Sequence, residues 1–327
     1  MGTKRGRLKK LIGVKQDNNQ LLKDIEQIPL DIDSNHETLK PYPIYSLITC
    51  HRGKNMFCGG GDRYITIWSI HLDRWSISQR LGPHTGWVKD LAFYKEQYLF
   101  SIGCNCIEIW DKRNQYRHFK KIEVQSCSSF GATLSSDLLC LGVYDHFLFA
   151  GGVDGRIHKW DIESEFKYHE AVSVHDGRIN KMLLMNQMKI LVSVGNDGYV
   201  RCRDLSKEAT HDPILTSWRF ESDSTEVDEE TVRITSLCSI HENESQADIV
   251  IGTACGMIRI LSIGRESVGN SISLQRIDYR ACLENRSTIT SLQFYPKDTS
   301  SNTGHDIILI GHSNGAALCN LNFSRIS

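Results

Sequence analysis

The stretch HFLFAGGVDGRIHKWDI, residues 146–162, contains two short apolar runs on either side of a turn rich in Gly and Asp. Runs of this length bounded by turn residues are typical of β-strands, and the glycines allow a tight reversal between them. Asp154 lies in the turn, and Trp160 and Asp161 end the second run. The stretch therefore predicts a β-hairpin that carries a tryptophan on its second strand.

The same pattern recurs along the chain. Two of the copies are weaker, because Leu261 and Asn320 replace the tryptophan, and in a third the position falls on Arg203. A unit repeated at a fixed interval is the sequence signature of a repeat architecture. The further copies cover residues 55–70, 97–112, 189–205, 248–263 and 306–322.

Each copy is preceded and followed by another apolar stretch. The first core residue of the preceding strand recurs at intervals of 41 to 55 residues. It falls on Ile44, Val88, Leu138, Ile179, Ile234 and Ile289. Strand-like stretches also follow several copies, at 75–81, 118–124, 213–220 and 271–277. We therefore predict four short strands per unit and an all-β fold.

Four strands per unit at this interval resemble the WD-repeat family of β-propellers. The resemblance spans roughly residues 44–323. It implies a propeller domain over residues 44–327, preceded by an N-terminal extension over residues 1–43 that holds a basic segment. The residues that carry the resemblance are Trp68, Trp110, Asp111, Trp160 and Asp161, with His84 and His175 ahead of two units.

The number of blades and their closure follow from the same reading. Six blades can be counted, and seven remains open as the family's commonest number. Because blades bury their faces only against neighbours, the ring must close. We expect the final blade to lack an outer strand and residues 7–14, RLKKLIGV, to supply it.

In that family a His, a Ser or Thr, an Asp and the Trp form a hydrogen-bonded tetrad, which satisfies their buried polar atoms. This chain keeps the tetrad in parts. Arg203 replaces one Trp, Asn105 stands nearest a missing Asp, and Cys58 and Ala150 stand where Ser is usual. The tetrad-like residues are Asp62 and Trp68; His84, Ser101 and Trp110; Asp154 and Trp160; and His175, Ser193 and Asp197.

Composition argues against several functional classes. Lys and Arg (38) nearly balance Asp and Glu (39), so no whole-protein field attracts nucleic acid or a membrane. No apolar run approaches the ~18 residues of a membrane span. The 11 cysteines lie mostly in apolar runs and fit reduced, buried thiols. The close pair Cys104 and Cys106 lacks a second pair, so we expect no metal.

These features predict a protein of the cytoplasm, the nucleus or both. The basic residues 1–16 leave open a targeting signal, including organelle import, a nucleic-acid arm, or only the closing strand. The acidic loop 221–231 is either a solvated loop or a docking site for a basic partner.

Motifs of catalysis and cofactor binding are absent from the sequence. The glycine-rich segment 57–64 lies between two strands and not ahead of a helix, so it suits a tight turn better than a phosphate site. We therefore predict no catalytic residue, no cofactor and no small-molecule substrate.

The loops at one end of the units are the predicted partner-binding face. Trp87 follows a glycine and precedes a core valine, so it should project from this face with two arginines. The predicted face comprises Trp87, Arg178, Arg233, Arg63, Tyr64, Asn105, Arg156, Tyr199 and Asn314. A protein-interaction scaffold or adaptor, as a subunit of a larger complex, is the leading function. RNA or ribonucleoprotein binding is the alternative, and a propeller enzyme is the third reading.

Overall fold

A computed structural model describes most of the repeat region and none of residues 1–41. The predicted closing strand (7–14), the acidic loop (221–231) and Asn314 lie outside the described residues. The described residues are 42–50, 55–71, 74–124, 137–205, 214–220, 232–265, 272–283, 286–295, 306–313 and 315–321.

The described chain forms six antiparallel sheets, and within each sheet strands that follow one another in sequence are hydrogen-bonded neighbours. Sheet 1 contains β1 (Ile44–Thr49), β2 (Asn55–Gly60), β3 (Ile65–His71) and β4 (Arg74–Leu81). Sheet 2 contains β5 (Asp90–Tyr94), β6 (Tyr98–Gly103), β7 (Cys106–Asp111) and β8 (Arg117–Glu123). Sheet 3 contains β9 (Leu138–Tyr144), β10 (Phe147–Gly152), β11 (Arg156–Asp161) and β12 (Lys167–Ser173).

The second half of the chain repeats this arrangement. Sheet 4 contains β13 (Ile179–Met185), β14 (Ile190–Gly195), β15 (Tyr199–Asp204) and β16 (Ile214–Arg219). Sheet 5 contains β17 (Ile234–Glu242), β18 (Gln246–Thr253), β19 (Met257–Arg265) and β20 (Ile272–Cys282). Sheet 6 has three strands among the described residues, β21 (Ile289–Tyr295), β22 (Asp306–His312) and β23 (Gly315–Leu321). The predicted all-β repeat of four-stranded units is confirmed for the first five units.

Apolar packing joins each sheet to the next one in sequence. One buried cluster, for example, combines Phe57 and Ile67 of sheet 1 with Leu91 and Leu99 of sheet 2. Corresponding clusters join sheets 2 and 3, 3 and 4, 4 and 5, and 5 and 6. Strands packed between two neighbours are buried on both faces, which explains their continuous apolar runs.

Glycines in the second strand of a sheet allow this close packing. A Cβ at Gly59 would lie 2.7 Å from the Val88 side chain of the next sheet, and a Cβ at Gly252 would lie 2.6 Å from Ile289. The glycines therefore form sockets for the first core residue of the following unit, at two of the positions predicted for that residue.

The first unit differs from the others at its first core position. Ile44 is 62% exposed, whereas its counterparts Val88, Leu138, Ile179, Ile234 and Ile289 are fully buried. Each counterpart is covered by the preceding sheet, so in the described part of the chain this face of sheet 1 is open.

The remaining elements are small. The 3-10 turn Lys112–Asn114 is capped by Asp111, whose carboxylate accepts a hydrogen bond from the Arg113 amide at 3.0 Å. Among the described residues no helix has the length and apolar character needed to cross a membrane. Burial raises the pKa of the free thiols of Cys140 and Cys202 to about 12, which keeps them unreactive.

Candidate functional site

A repeated hydrogen bond defines one edge of the sheets. In five sheets the residue just before the first strand accepts a hydrogen bond through its carbonyl from the turn between the second and third strands. The loop before the first strand and the turn between the second and third strands therefore meet at one edge, here called the loop edge, in each of these sheets. The pairs are Pro43 with Gly61 (2.8 Å), Asp137 with Val153 (2.9 Å), Arg178 with Asn196 (3.0 Å), Arg233 with Ala254 (2.9 Å) and Thr288 with Ser313 (3.0 Å).

Contacts between neighbouring sheets bring these edges to the same side. The Val88 amide donates to the Gly60 carbonyl at 3.1 Å, and the Leu138 amide donates to the Cys104 carbonyl at 2.8 Å. Farther along, the Thr235 hydroxyl donates to the Ile289 carbonyl at 2.5 Å. Turns and first-strand residues of successive units thus adjoin one another.

An aromatic pair with a lysine lies at this edge. Trp87 is 53% exposed, and its ring stacks on Tyr45 with a centroid distance of 5.7 Å and an interplanar angle of 20°. The Lys89 ammonium lies 3.7 Å from the Tyr45 ring centroid and 4.6 Å from that of Trp87. Both cation–π contacts fix the rings. The geometry leaves a large, oriented apolar surface facing solvent.

Charged groups of two further sheets act on Lys89. Burial, followed by the positive charge of Arg178, lowers the pKa of Lys89, while Asp137 opposes that shift. Arg178 belongs to the loop of sheet 4 and Asp137 to that of sheet 3. Both groups are therefore close enough to Lys89 to influence its charge.

The other predicted face residues divide into two groups. Arg63 and Arg233 are exposed, while Asn105 and Arg156 are only partly so. Tyr64 and Tyr199 are covered by guanidinium groups of their own sheets, with Arg80 at 4.3 Å and Arg201 at 4.6 Å from the ring centroids. At both positions a guanidinium group therefore covers a face of the tyrosine ring.

Sheet 4 contains a buried His–Ser–Asp network. His175 Nε2 lies 2.9 Å from Ser193 Oγ, and His175 Nδ1 lies 2.9 Å from Asp197 Oδ1. Arg201 donates to Asp197 at 2.6 Å. Arg203, at the expected Trp position, instead forms an ion pair with Glu170 of sheet 3 at 2.5 Å. The substitution therefore replaces a bond within the sheet by one between sheets.

Acid should weaken the Asp197 network. Burial raises the pKa of Asp197, but hydrogen bonds and charge from His175 and Arg201 outweigh it and hold that pKa well below its ordinary value of 3.8. A carboxyl group whose pKa is lower in the folded state than in the unfolded state stabilises the fold at pH values above its unfolded pKa. This stabilisation is lost as the pH falls through the folded pKa. In urea titrations from pH 6 downwards, the stability difference between wild type and Asp197→Asn should begin to shrink below about pH 4. A difference independent of pH would contradict this assignment.

Sheet 2 keeps three of the four tetrad positions. Ser101 Oγ accepts a hydrogen bond from Trp110 Nε1 at 2.8 Å and lies 2.8 Å from His84 Nε2. Burial, and then the charges of His118 and Lys121, lower the pKa of His84 to about 4, so the ring is neutral at neutral pH. Its Nδ1 has no hydrogen-bond partner among the described residues.

The missing aspartate of sheet 2 has a backbone cause. Gly103 pairs with Cys106, which leaves a two-residue turn with Cys104 at a φ of 55°. In sheet 4 the second strand ends at Gly195 and the third begins at Tyr199, so that three residues form the turn, one more than in sheet 2. The position of Asp197 is therefore absent from sheet 2, and Asn105 does not replace it.

Turn aspartates of three sheets share a local motif but differ in their cations. Each carboxylate accepts a hydrogen bond from the backbone amide two residues further along the chain, at 3.1 to 3.2 Å, in Asp62, Asp154 and Asp197. Asp62 pairs with Arg80, and Asp154 lies 3.6 Å from His158, which stacks on Trp160. The turn aspartates of sheets 1 and 3 thus have basic neighbours that the family pattern does not predict.

A partly buried ion pair between sheets 2 and 4 was not predicted from the sequence. Asp90 accepts hydrogen bonds from the Ser46 hydroxyl at 2.9 Å, the Leu141 amide at 3.0 Å and the Lys181 ammonium at 3.2 Å. The negative charge of Asp90 raises the pKa of Lys181 and outweighs the effect of burial, which lowers it. One carboxylate thus joins the first strands of sheets 1 to 4.

Neither the known protein-family models nor the curated proteins include a match to this chain. The WD-repeat resemblance therefore rests on the residues and the geometry described above.

Proposed function

We propose that this chain is a WD-repeat type of β-propeller that works as a non-catalytic protein-interaction scaffold. It is a subunit of a larger complex in the cytoplasm, the nucleus or both, and it binds a partner protein at the loop edge. The observation that carries the proposal is the exposed Trp87, held in place by Tyr45 and Lys89.

Ring geometry is supported by the contacts of the first strands. Sheets 2 and 4 are not consecutive, yet Asp90 and Lys181 meet at 3.2 Å. Sheets arranged in a row would keep these residues apart, whereas sheets arranged around an axis bring their first strands together. A further element over Ile44 would complete the ring, and residues 7–14 remain the proposed donor of the closing strand of the last blade.

Binding at the loop edge is supported by the energetics of exposed aromatic residues. Trp is enriched among interface hot spots, the residues whose truncation costs ~2 kcal/mol or more of binding free energy. Arg178 and Arg233, at the loop edge, can each pair with a carboxylate by two parallel hydrogen bonds. We therefore propose a partner segment that presents an apolar side chain flanked by acidic residues.

Removing the tryptophan tests the proposal. In pull-downs of the full chain from native extract treated with RNase, Trp87→Ala should reduce the recovery of specific co-purifying proteins by about 30-fold or more, the equivalent of ~2 kcal/mol. Quantitative mass spectrometry of the retained proteins measures the change.

Phe119→Ala is the matched control, because Phe119 is also 53% exposed but lies on the outer strand β8. This variant should retain the same proteins as wild type. Equal losses in the two variants would contradict a site at Trp87. A set of proteins that disappears on RNase treatment would replace the proposal by ribonucleoprotein binding.

A further inference from the structure

Three potential metal ligands meet on sheet 2. One donor atom each from His84, Cys106 and Glu108 lies within 4.8 Å of the other two, and all three residues are buried. Imidazole nitrogen, thiolate sulfur and carboxylate oxygen are the ligand types of Zn²⁺. Zinc binds its ligands at about 2.0–2.3 Å, so small side-chain rotations would bring these atoms into range.

His84 has one ring nitrogen available for such a role. Its Nε2 is engaged with Ser101, and its Nδ1 is buried without a hydrogen-bond partner among the described residues. Ser101 Oγ can accept from both Trp110 Nε1 and His84 Nε2, because a hydroxyl oxygen has two lone pairs. With hydrogen on Nε2, Nδ1 carries the free lone pair that a metal requires.

The equivalent nitrogen in sheet 4 binds Asp197. The shorter turn of sheet 2 lacks that aspartate, and the donor groups near His84 are those of Cys106 and Glu108 instead. An unpaired buried nitrogen costs free energy unless a ligand satisfies it. Nδ1 is thus left without a protein partner among the described residues, on a histidine that has a ring nitrogen within 4.8 Å of donor atoms of Cys106 and Glu108.

The surroundings of Glu108 fit a ligating carboxylate. His118 contacts Glu108 Oε2, while Oε1 lies 4.0 Å from Cys106 Sγ. Carboxylates that ligate metals are themselves commonly hydrogen-bonded, which fixes their orientation. Lys121, the nearby cation, forms an ion pair with Glu123 at 3.0 Å.

We propose that His84 Nδ1, Cys106 Sγ and the Glu108 carboxylate form a zinc site, with a fourth position open to water. His118 is a positioning residue that orients Glu108. The site does not depend on the proposed scaffold function. Spacing along the sequence does not reveal it, because its ligands come from a loop and from alternate residues of β7.

Titration of the chelator-treated full chain with Co²⁺ tests this site, because cobalt in a zinc site that contains a thiolate gives a sulfur-to-metal charge-transfer band. We expect saturation at a single equivalent and displacement of the band by Zn²⁺. Cys106→Ser should abolish the band. Cys58→Ser is the matched control and should leave it unchanged, since Cys58 is also buried but occupies the strand position of Ser101 and Ser193.

Two further variants keep the test independent of folding defects in Cys106→Ser. Glu108→Gln and His118→Gln should retain the band but weaken Co²⁺ binding, by about 10–100-fold for His118→Gln as a residue that orients a ligand. Circular dichroism checks that each variant is folded. The proposal is overturned if the wild-type chain gives no saturable band, if the band survives Cys106→Ser, or if neither glutamine variant changes the affinity.

Discussion

Asp197→Ala is expected to lower the free energy of unfolding by about 3–5 kcal/mol, the cost of removing one partner of a buried ion pair. His175 and Arg201 would each lose a carboxylate partner, and the Tyr199 and Asp176 amides would lose an acceptor. The side chains of His175, Asp197 and Arg201 are all largely buried, so water cannot replace these bonds. Urea denaturation of the full chain, followed by circular dichroism, measures the loss.

Asp62→Ala is the matched control, because Asp62 holds the corresponding turn position in sheet 1. It accepts the Tyr64 amide at 3.2 Å and pairs with Arg80, whose side chain is 34% exposed. Water can solvate that arginine, so we expect a loss of only about 1 kcal/mol. Similar losses in both variants would show that the buried network of sheet 4 has no special weight.

Asp90→Ala is expected to destabilise the chain by about 3 kcal/mol, the lower end of the range for breaking a buried ion pair. Asp90 is buried, but the Lys181 side chain is 39% exposed and retains some contact with water. The Ser46 hydroxyl and the Leu141 amide would also lose their acceptor. The loss should appear as a lower midpoint in the same urea titrations.

A double-mutant cycle separates the ion pair from the other bonds of Asp90. Lys181→Met keeps much of the side-chain volume but removes the charge, and Asp90→Ala in that background should cost at least 0.5 kcal/mol less than in wild type. This coupling links sheets 2 and 4, which a row of sheets would hold apart. Additive effects would argue against first strands that converge on one axis.

Much of the fold could be predicted from the sequence, because the repeated hairpin carries its own signals. Short apolar runs, the turn residues between them and a recurring Trp position predict four strands in each unit. The predicted first core residues of five units are all buried, namely Val88, Leu138, Ile179, Ile234 and Ile289. Ile44 is the exception. Whether Ile44 is buried depends on an element outside its own unit, and the sequence pattern within one unit cannot predict that.

The candidate site was predicted only in part, for reasons of distance along the chain. Trp87 was found because a glycine and a core valine flank it, which points its ring away from the core. Tyr45 and Lys89 were missed, since stacking between units leaves no mark in sequence spacing. Asp90 and Lys181 were missed for the same reason, being 91 residues apart.

The tetrads show how one deleted residue changes local chemistry. Family resemblance implies an aspartate near residue 105, but the two-residue turn of sheet 2 has no place for it. Among the described residues His84 Nδ1 has no hydrogen-bond partner, and the side chains of Cys106 and Glu108 lie near the same histidine. Comparison with the family pattern can detect the missing aspartate, whereas only the structure shows which side chains lie near His84 instead.

Site-specific photo-crosslinking tests the central claim that a partner protein binds at the loop edge. A benzophenone amino acid is placed at position 87, 178 or 119 of the full chain, and each protein is irradiated in native extract. We predict that positions 87 and 178 crosslink to the same protein and that position 119 does not. Crosslinks to that protein from position 119 alone, or adducts at position 87 that consist of RNA, would contradict the account.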